Sequence, residues 1–214
     1  MTRPILWSFR RCPYAMRARL AIQSAEVEVE LREIFLRDKP QAFLAVSPNA
    51  TVPHLECDDG SFEHSFDIMQ WALGKNDPEG WLAMPGHGYD LVEQADGPFK
   101  AGLDRYKYAS RFDDVDVDEE RHKAGLFLHQ LEKMLETSAC LFGPAPRLAD
   151  MAVLPFVRQF AHVDLDWFNA QPWPNLAAWL EAFKASNRFR AIMPKYAQWQ
   201  SGQGPVIFPD RKDT

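Results

Sequence analysis

Residues 8–20 read Ser-Phe-Arg-Arg-Cys-Pro-Tyr-Ala-Met-Arg-Ala-Arg-Leu and follow a short apolar run at residues 5–7. Proline is favoured in the first turn of a helix, where its missing N–H costs no hydrogen bond, so this order predicts a strand, a basic turn and a helix. Cys12 then lies at the helix N-terminus, whose partial positive charge stabilises an anion, and Arg10 and Arg11 add full charges. Such a thiol loses its proton more readily than an isolated cysteine, so Cys12 is a candidate nucleophile; a buried structural cysteine is the alternative.

Length, charge and cysteine content narrow the class of protein. The chain has 214 residues, enough for one large domain or two modest ones, and a net charge of −6, which argues against nucleic-acid binding. No apolar run approaches the length of about 20 residues that spans a membrane, and the N-terminus turns polar at Ser8, too early for a secretory signal. The three cysteines have no metal-type spacing, so we expect free thiols in a reducing compartment, the cytoplasm.

The first 75 residues alternate between strand and helix patterns. The order β-α-β-α-β-β-α predicts a mixed sheet with helices packed on it. The predicted strands are 5–9, 27–32, 52–57 and 61–63, and the predicted helices are 14–25, 39–45 and 65–73. In Thr51-Val52-Pro53 the proline suits a turn or a cis peptide bond better than a central strand.

The second half of the chain is helical in pattern. Glycine and proline punctuate residues 74–88, which predicts a linker, and strand patterns are absent beyond it. We predict helices at 89–112, 118–139, 147–163, 174–186 and 188–200. The predicted domains are therefore a small α/β domain at 1–76, a linker at 77–88 and an all-helical domain at 89–214.

Several ordered motifs together resemble the glutathione transferase superfamily, and within it the omega-like, cysteine-dependent group. The motifs are Cys12-Pro13-Tyr14-Ala15, Lys39-Pro40, Thr51-Val52-Pro53, His64-Ser65 and Leu148-Ala149-Asp150. The resemblance implies a thioredoxin-like N-terminal domain, an all-α C-terminal domain, a glutathione site on the first domain, and a homodimer.

The resemblance also implies roles for individual residues. Cys12 forms a mixed disulfide with glutathione, the backbone of Thr51, Val52 and a cis Pro53 pairs with the cysteinyl part, and Ser65 binds the γ-glutamyl carboxylate. Lys39 reaches the glycyl end, and Tyr14 lies beside the thiol. Two positions depart from the family pattern: His64 replaces a glutamate, and Arg147 replaces the serine or threonine that caps the following helix.

The remaining candidate residues keep two interpretations open. Arg11, Tyr108 and Arg111 are candidates for the second-substrate pocket, although helix packing explains the aromatic residues nearly as well. His122 and His129 lack a third ligand and are predicted to be surface histidines, and no metal site is expected. The acidic run at 113–120 fails the calcium-loop pattern and is predicted to be exposed at a helix start. Cys57 and Cys140 are expected to be buried and small, and Trp167, Trp173, Trp179 and Trp199 to be core residues.

These residues favour a glutathione-dependent thiol transferase or reductase that works through a mixed disulfide at Cys12. Ala15 stands where a dithiol protein has its second cysteine, so an external thiol, glutathione, must resolve that disulfide. Two alternatives are a transferase that conjugates glutathione to an electrophile and a non-catalytic binding or scaffold protein on the same fold. The expected partners are glutathione, as co-substrate, and a small electrophilic or disulfide substrate, with no nucleic acid and no membrane.

Overall fold

A mixed five-stranded sheet forms the centre of the first compact unit, in the strand order β4-β3-β1-β2-β5. The computed structural model describes residues 2–210, and the unit contains those up to Gly80 together with those from Ala185 onward. Its strands are β1 (Ile5–Ser8), β2 (Val29–Glu33), β3 (His54–Cys57), β4 (Gly60–Phe62) and β5 (Ile207–Phe208). Its helices are α1 (Pro13–Ser24), α2 (Gln41–Val46), α3 (Ser65–Lys75) and, after the second unit, α10 (Asn187–Ile192). The predicted β-α-β-α-β-β-α order is confirmed.

The sheet register places β1 at the centre. Leu6 lies opposite Leu31 of the parallel strand β2 and opposite Leu55 of the antiparallel strand β3. Helices α1 and α3 pack against each other. A hydrophobic cluster of Trp7, Ile34, Phe43 and Val52 is buried in this unit, and Cys12 packs against it.

The C-terminal segment returns to the first unit, which differs from the predicted all-helical domain at 89–214. The predicted helix at 188–200 ends at Ile192, because Pro194 cannot continue it. The segment then follows β2: the Trp199 N–H donates to the Glu33 carbonyl at 2.8 Å, and β5 pairs with β2. An edge strand with open backbone groups is thereby covered.

The second unit, Trp81–Lys184, is helical. Its helices are α4 (His87–Gln94), α5 (Lys100–Lys107), α6 (Val117–Leu135), α7 (Leu148–Ala161), α8 (Leu165–Asn169) and α9 (Pro174–Ala185), the last of which ends at the unit boundary. The predicted helix at 89–112 is interrupted by a π-helical turn at Ala95–Phe99, which contains Pro98. Proline lacks the N–H that the regular helix needs, so the hydrogen-bond pattern shifts there.

Carboxylate side chains cap the starts of α6 and α7. Asp116 accepts from the N–H groups of Asp118 and Glu119 at the start of α6, which confirms the acidic run as a helix start. At α7, Asp150 accepts from the Arg147 N–H at 2.8 Å, and the Arg147 side chain makes no cap hydrogen bond. Among residues 2–210, no helix combines the length and the apolarity that crossing a membrane requires.

Candidate active site

Cys12 is the residue that caps the N-terminus of α1. Its backbone is extended (φ −73°, ψ 123°), its N–H donates to the Phe9 carbonyl at 3.0 Å, and its carbonyl accepts from Met16 at 2.9 Å. Pro13 occupies the first helical position, and the half-buried thiol makes no cap hydrogen bond. The thiol therefore lies at the positive end of the helix dipole, as the Cys-Pro order predicts.

The thiol also contacts the segment before β3. Cys12 Sγ donates to the Val52 carbonyl oxygen at 3.5 Å, and the Val52–Pro53 peptide bond is cis, as the resemblance implies. Val52 and Pro53 are buried, whereas Thr51 is exposed. The structure thus brings two predicted site features, the thiol and the cis-proline segment, into direct contact.

A buried ion pair fixes the basic turn in front of Cys12. Arg19, fully buried on α1, donates to the Arg10 carbonyl at 2.7 Å and lies 3.9 Å from Glu33, which accepts from the Arg10 N–H at 2.6 Å. Burial lowers the pKa of Arg19 to about 10, opposed by the nearby Glu33 and then by Cys12. Burial likewise raises the pKa of Glu33, opposed by the Arg10 N–H and by Arg19. Sequence reasoning missed both residues.

Ser65 begins α3 and contacts a second buried arginine. Ser65 is 5% exposed, and its hydroxyl accepts from Arg17 Nη1 at 3.5 Å. The Arg17 guanidinium, itself fully buried, lies 5.8 Å from the Tyr14 ring centroid. A positive charge therefore adjoins the hydroxyl and the helix N-terminus that were predicted to hold a carboxylate. His64 is exposed, and its side chain makes no cap hydrogen bond to α3.

A buried histidine follows the cis-proline. His54 is fully buried, and neither imidazole nitrogen has a hydrogen-bond partner among the described residues. Its Nδ1 lies 3.8 Å from the Glu63 carboxylate. Burial lowers the pKa of His54, against the opposing charges of Glu56 and Glu63. Glu63, the neighbour of His64 in the chain, is thus a carboxylate close to the position where the family pattern has one.

The remaining predicted site residues are Lys39, Arg11, Tyr108 and Arg111. Lys39 is half-buried ahead of α2, and Gln198 donates to the neighbouring Asp38 carbonyl at 2.8 Å. Arg11, in the first unit, is exposed, with its guanidinium 5.5 Å from the Phe9 ring centroid. Tyr108 and Arg111 belong to the second unit, where the Arg111 guanidinium lies 4.2 Å from the Tyr108 ring centroid.

The expectation that Cys57 and Cys140 are fully buried is wrong. Cys57 and Cys140 are half-buried rather than fully buried, because one ends a strand at a tight turn and the other lies in a loop. Neither of them forms a disulfide with the other or with Cys12. Across residues 2–210, no three histidine, cysteine or acidic side chains come together in a way that could hold a metal ion.

Comparison with protein families identifies both halves of the molecule. The model of the glutathione S-transferase N-terminal domain matches residues 6–80, and that of the C-terminal domain matches residues 127–182. A thioredoxin-like sheet domain and a helical domain, matched in this order over more than half of the chain, define a two-domain glutathione transferase fold. The chain belongs to the glutathione S-transferase superfamily.

Individual relatives are distant. A probable cytosolic glutathione S-transferase of rice, named DHAR1, is 28% identical over 74 residues, which span 35% of each protein. Among solved structures, a Pseudomonas fluorescens family member with two glutathione bound is 16% identical over 89% of this chain and 92% of its own (TM-score 0.75). The omega 3C transferase of Trametes versicolor is 15% identical over 88% and 83% (TM-score 0.71). The Tau-class enzyme of mango is 21% identical over 90% and 93% (TM-score 0.75). These structural matches establish the shared fold.

Proposed function

We propose that the protein is an omega-like, glutathione-dependent thiol transferase in which Cys12 is the nucleophile. The single observation that carries this proposal is the position of Cys12 Sγ, at the N-terminus of α1 and 3.5 Å from the Val52 carbonyl ahead of a cis proline. A thiol, rather than a tyrosine or serine hydroxyl, occupies this helix start. The buried Arg19 guanidinium, which donates to the Arg10 carbonyl, also interacts electrostatically with Cys12.

The proposed reaction is two thiol–disulfide exchanges. The Cys12 thiolate attacks the glutathionyl sulfur of a mixed disulfide, the S–S bond breaks, and the substrate leaves as a thiolate that takes up a proton. A glutathione thiolate then attacks the glutathionyl sulfur of the Cys12 adduct, which releases oxidised glutathione and regenerates the Cys12 thiolate. Ala15 is fully buried and offers no resolving thiol, so the second step requires free glutathione.

Glutathione would lie along the cis-proline segment in this proposal. Its cysteinyl part would pair with the backbone of Thr51 and Val52 as an added strand, which places its sulfur next to Cys12. Its γ-glutamyl carboxylate would bind the Ser65 hydroxyl and the N-terminus of α3, with the Arg17 charge behind the hydroxyl. Tyr14 and Lys39 would contact the tripeptide from α1 and from the start of α2. The name of the rice relative describes it as cytosolic, which supports a cytoplasmic location for this protein. We include a homodimer in the proposal.

The test is the steady-state reduction of a glutathionylated peptide by glutathione. The wild type should turn over, and Cys12→Ser should not, because the hydroxyl cannot form the mixed disulfide. Cys57→Ser is the matched control, since Cys57 lies at the β3–β4 turn and donates to the Gly60 carbonyl instead. Unchanged turnover in Cys12→Ser would overturn the proposal. A wild type that conjugates glutathione to an aryl halide but does not reduce the peptide would replace it with the conjugating alternative.

A further inference from the structure

The segment that links α10 to β5, residues 193–206, lies along the edge of β2, and we call it the C-terminal strap. The Trp199 N–H donates to the Glu33 carbonyl at 2.8 Å, and the Val206 carbonyl accepts from the Leu31 N–H at 2.8 Å. Backbone hydrogen bonds at these two places hold the strap in one register on the strand. The strap is therefore fixed beside the end of β2, from which the chain continues to Lys39.

The Trp199 indole anchors the strap. Its ring packs edge to face on Trp7, at 5.1 Å between ring centroids. The Arg32 guanidinium lies 4.9 Å from the Trp7 centroid and 4.7 Å from the Trp199 centroid. Trp199 also packs against the hydrophobic cluster that contacts Cys12. These contacts hold the large ring in place, so Gln198, the residue before it, projects from a fixed backbone.

Gln198 joins the strap to the turn that precedes Lys39. Its Nε2 donates to the Asp38 carbonyl oxygen at 2.8 Å and to the Asp38 carboxylate at 3.2 Å, across 160 positions of the chain. A side-chain amide nitrogen carries two hydrogens, so one group serves both acceptors. The turn itself is closed by the Asp38 N–H, which donates to the Phe35 carbonyl at 3.0 Å. The strap thus holds the last residue of this turn.

The backbone of Lys39 is constrained on both sides. The Asp38 carbonyl belongs to the planar peptide bond that leads into Lys39, so a hydrogen bond to this oxygen fixes the plane of that bond. On the other side, Pro40 restricts the residue before it to extended backbone. Pro40 also caps α2, where its carbonyl accepts from the Phe43 N–H at 3.0 Å. A lysine side chain has many rotamers, and a fixed backbone limits the space that its ammonium group can reach.

We propose that Gln198 is a positioning residue for recognition of the glycyl carboxylate of glutathione, on which it acts through the Asp38 turn and Lys39. The inference rests on the proposed function, in which Lys39 contacts the tripeptide. The Lys39 ammonium group pairs with the glycyl carboxylate, and Gln198 holds the backbone from which the ammonium reaches it. Gln198 therefore increases the preference of the site for glutathione over a glutathione whose glycyl carboxylate is blocked.

Calorimetric titration of the full chain with glutathione, and with glutathione esterified by ethanol at the glycyl carboxylate, tests the inference. Wild type should bind glutathione more tightly than the ester. Gln198→Ala should weaken glutathione binding about two- to fivefold, the scale of one hydrogen bond, and leave binding of the ester unchanged. Gln203→Ala is the matched control, since Gln203 lies in the same strap and accepts from the Gln200 N–H instead.

Three results would overturn the inference. Gln198→Ala could weaken both ligands equally, which would indicate a general disturbance of the site, or it could weaken neither. Wild type could also bind glutathione and its ester with the same affinity, which would show that the site does not recognise the glycyl charge.

A double-variant cycle with Lys39 tests the route by which Gln198 acts. Lys39→Ala should weaken glutathione binding, and adding Gln198→Ala to it should have no further effect. Additive effects of the two substitutions would show that Gln198 does not act through Lys39. These binding measurements do not require the Cys12 reaction. A wild type that shows the expected pattern but does not reduce the glutathionylated peptide would therefore overturn the proposed function and support the role of Gln198.

Discussion

Replacing Arg19 with leucine tests the buried ion pair behind the Cys12 turn. The Arg19 side chain is 0% exposed and that of Glu33 is 4% exposed, so solvent does not screen the pair. The variant loses the ion pair at 3.9 Å and the hydrogen bond of 2.7 Å to the Arg10 carbonyl. Leucine fills part of the vacated volume, and Glu33 is left buried without its cationic partner.

The structure sets the size of the expected loss. Breaking one side of a buried ion pair costs about 3–5 kcal/mol, and the lower end, about 3 kcal/mol, applies here because Glu33 keeps its hydrogen bond from the Arg10 N–H. Burial already raises the pKa of Glu33, and removal of Arg19 raises it further. A raised carboxyl pKa means that the folded state prefers the protonated form, so the variant's stability decreases as the pH rises through that pKa. The loss should therefore be larger at pH 8 than at pH 5.

Urea unfolding followed by circular dichroism, at both pH values, measures this loss. We expect Arg19→Leu to lower the free energy of unfolding at pH 8 by about 3 kcal/mol, and Arg19→Leu/Glu33→Leu to recover part of it, since the unpaired charge is then absent. A single variant that costs less than about 1 kcal/mol, the size of an ordinary substitution, or a double variant no more stable than the single one, would show that Arg19 does not neutralise a buried Glu33 charge.

Three further predictions concern other named contacts. Burial lowers the pKa of His54, so the free energy of unfolding of the wild type should decrease as the pH falls below the ordinary histidine pKa of about 6.5. In urea unfolding, His54→Leu should abolish this dependence of stability on pH. An unchanged pH dependence in the variant contradicts the prediction. Glu132 accepts three hydrogen bonds at the start of α9, so Glu132→Ala should lower the free energy of unfolding by about 2 kcal/mol or more in thermal or urea unfolding. Glu136 is exposed, so Glu136→Ala should lower it little, and equal losses in the two variants contradict the prediction. His64→Glu should tighten glutathione binding about two- to fivefold by calorimetry, the scale of an exposed ion pair, and no tightening would mean that only the backbone of His64 matters.

The order of the strands and helices in the first unit could be predicted because period-2 and helical patterns, together with proline and glycine, determine it locally. The return of the C-terminal segment could not. Pro194 signals the end of a helix, but β5 consists of only Ile207 and Phe208, and its pairing with Val29 and Glu30 depends on residues almost the whole chain apart. Two residues contain too little pattern to predict a strand or its partner.

Some features of the candidate active site could also be predicted from the sequence, and others could not. Cys12 next to Pro13 and the Thr51–Pro53 segment are recognisable because each motif is contiguous in the chain. The contacts of Arg19 with Glu33 and of Arg17 with Ser65 join residues that are not neighbours in the sequence. Because charged side chains are usually exposed, the burial of these two arginines could not be predicted from their residue type. Two arginines on an otherwise apolar helix, Arg17 and Arg19, are the one signal of these contacts that the sequence contains.

Peptide mass spectrometry of the protein after incubation with oxidised glutathione locates the mixed disulfide that we propose at Cys12. We expect a single glutathionyl adduct on the peptide that contains Cys12, none on the peptides that contain Cys57 or Cys140, and removal of the adduct by added glutathione. An unmodified Cys12, or an adduct confined to Cys57 or Cys140, would show that Cys12 does not form the mixed disulfide.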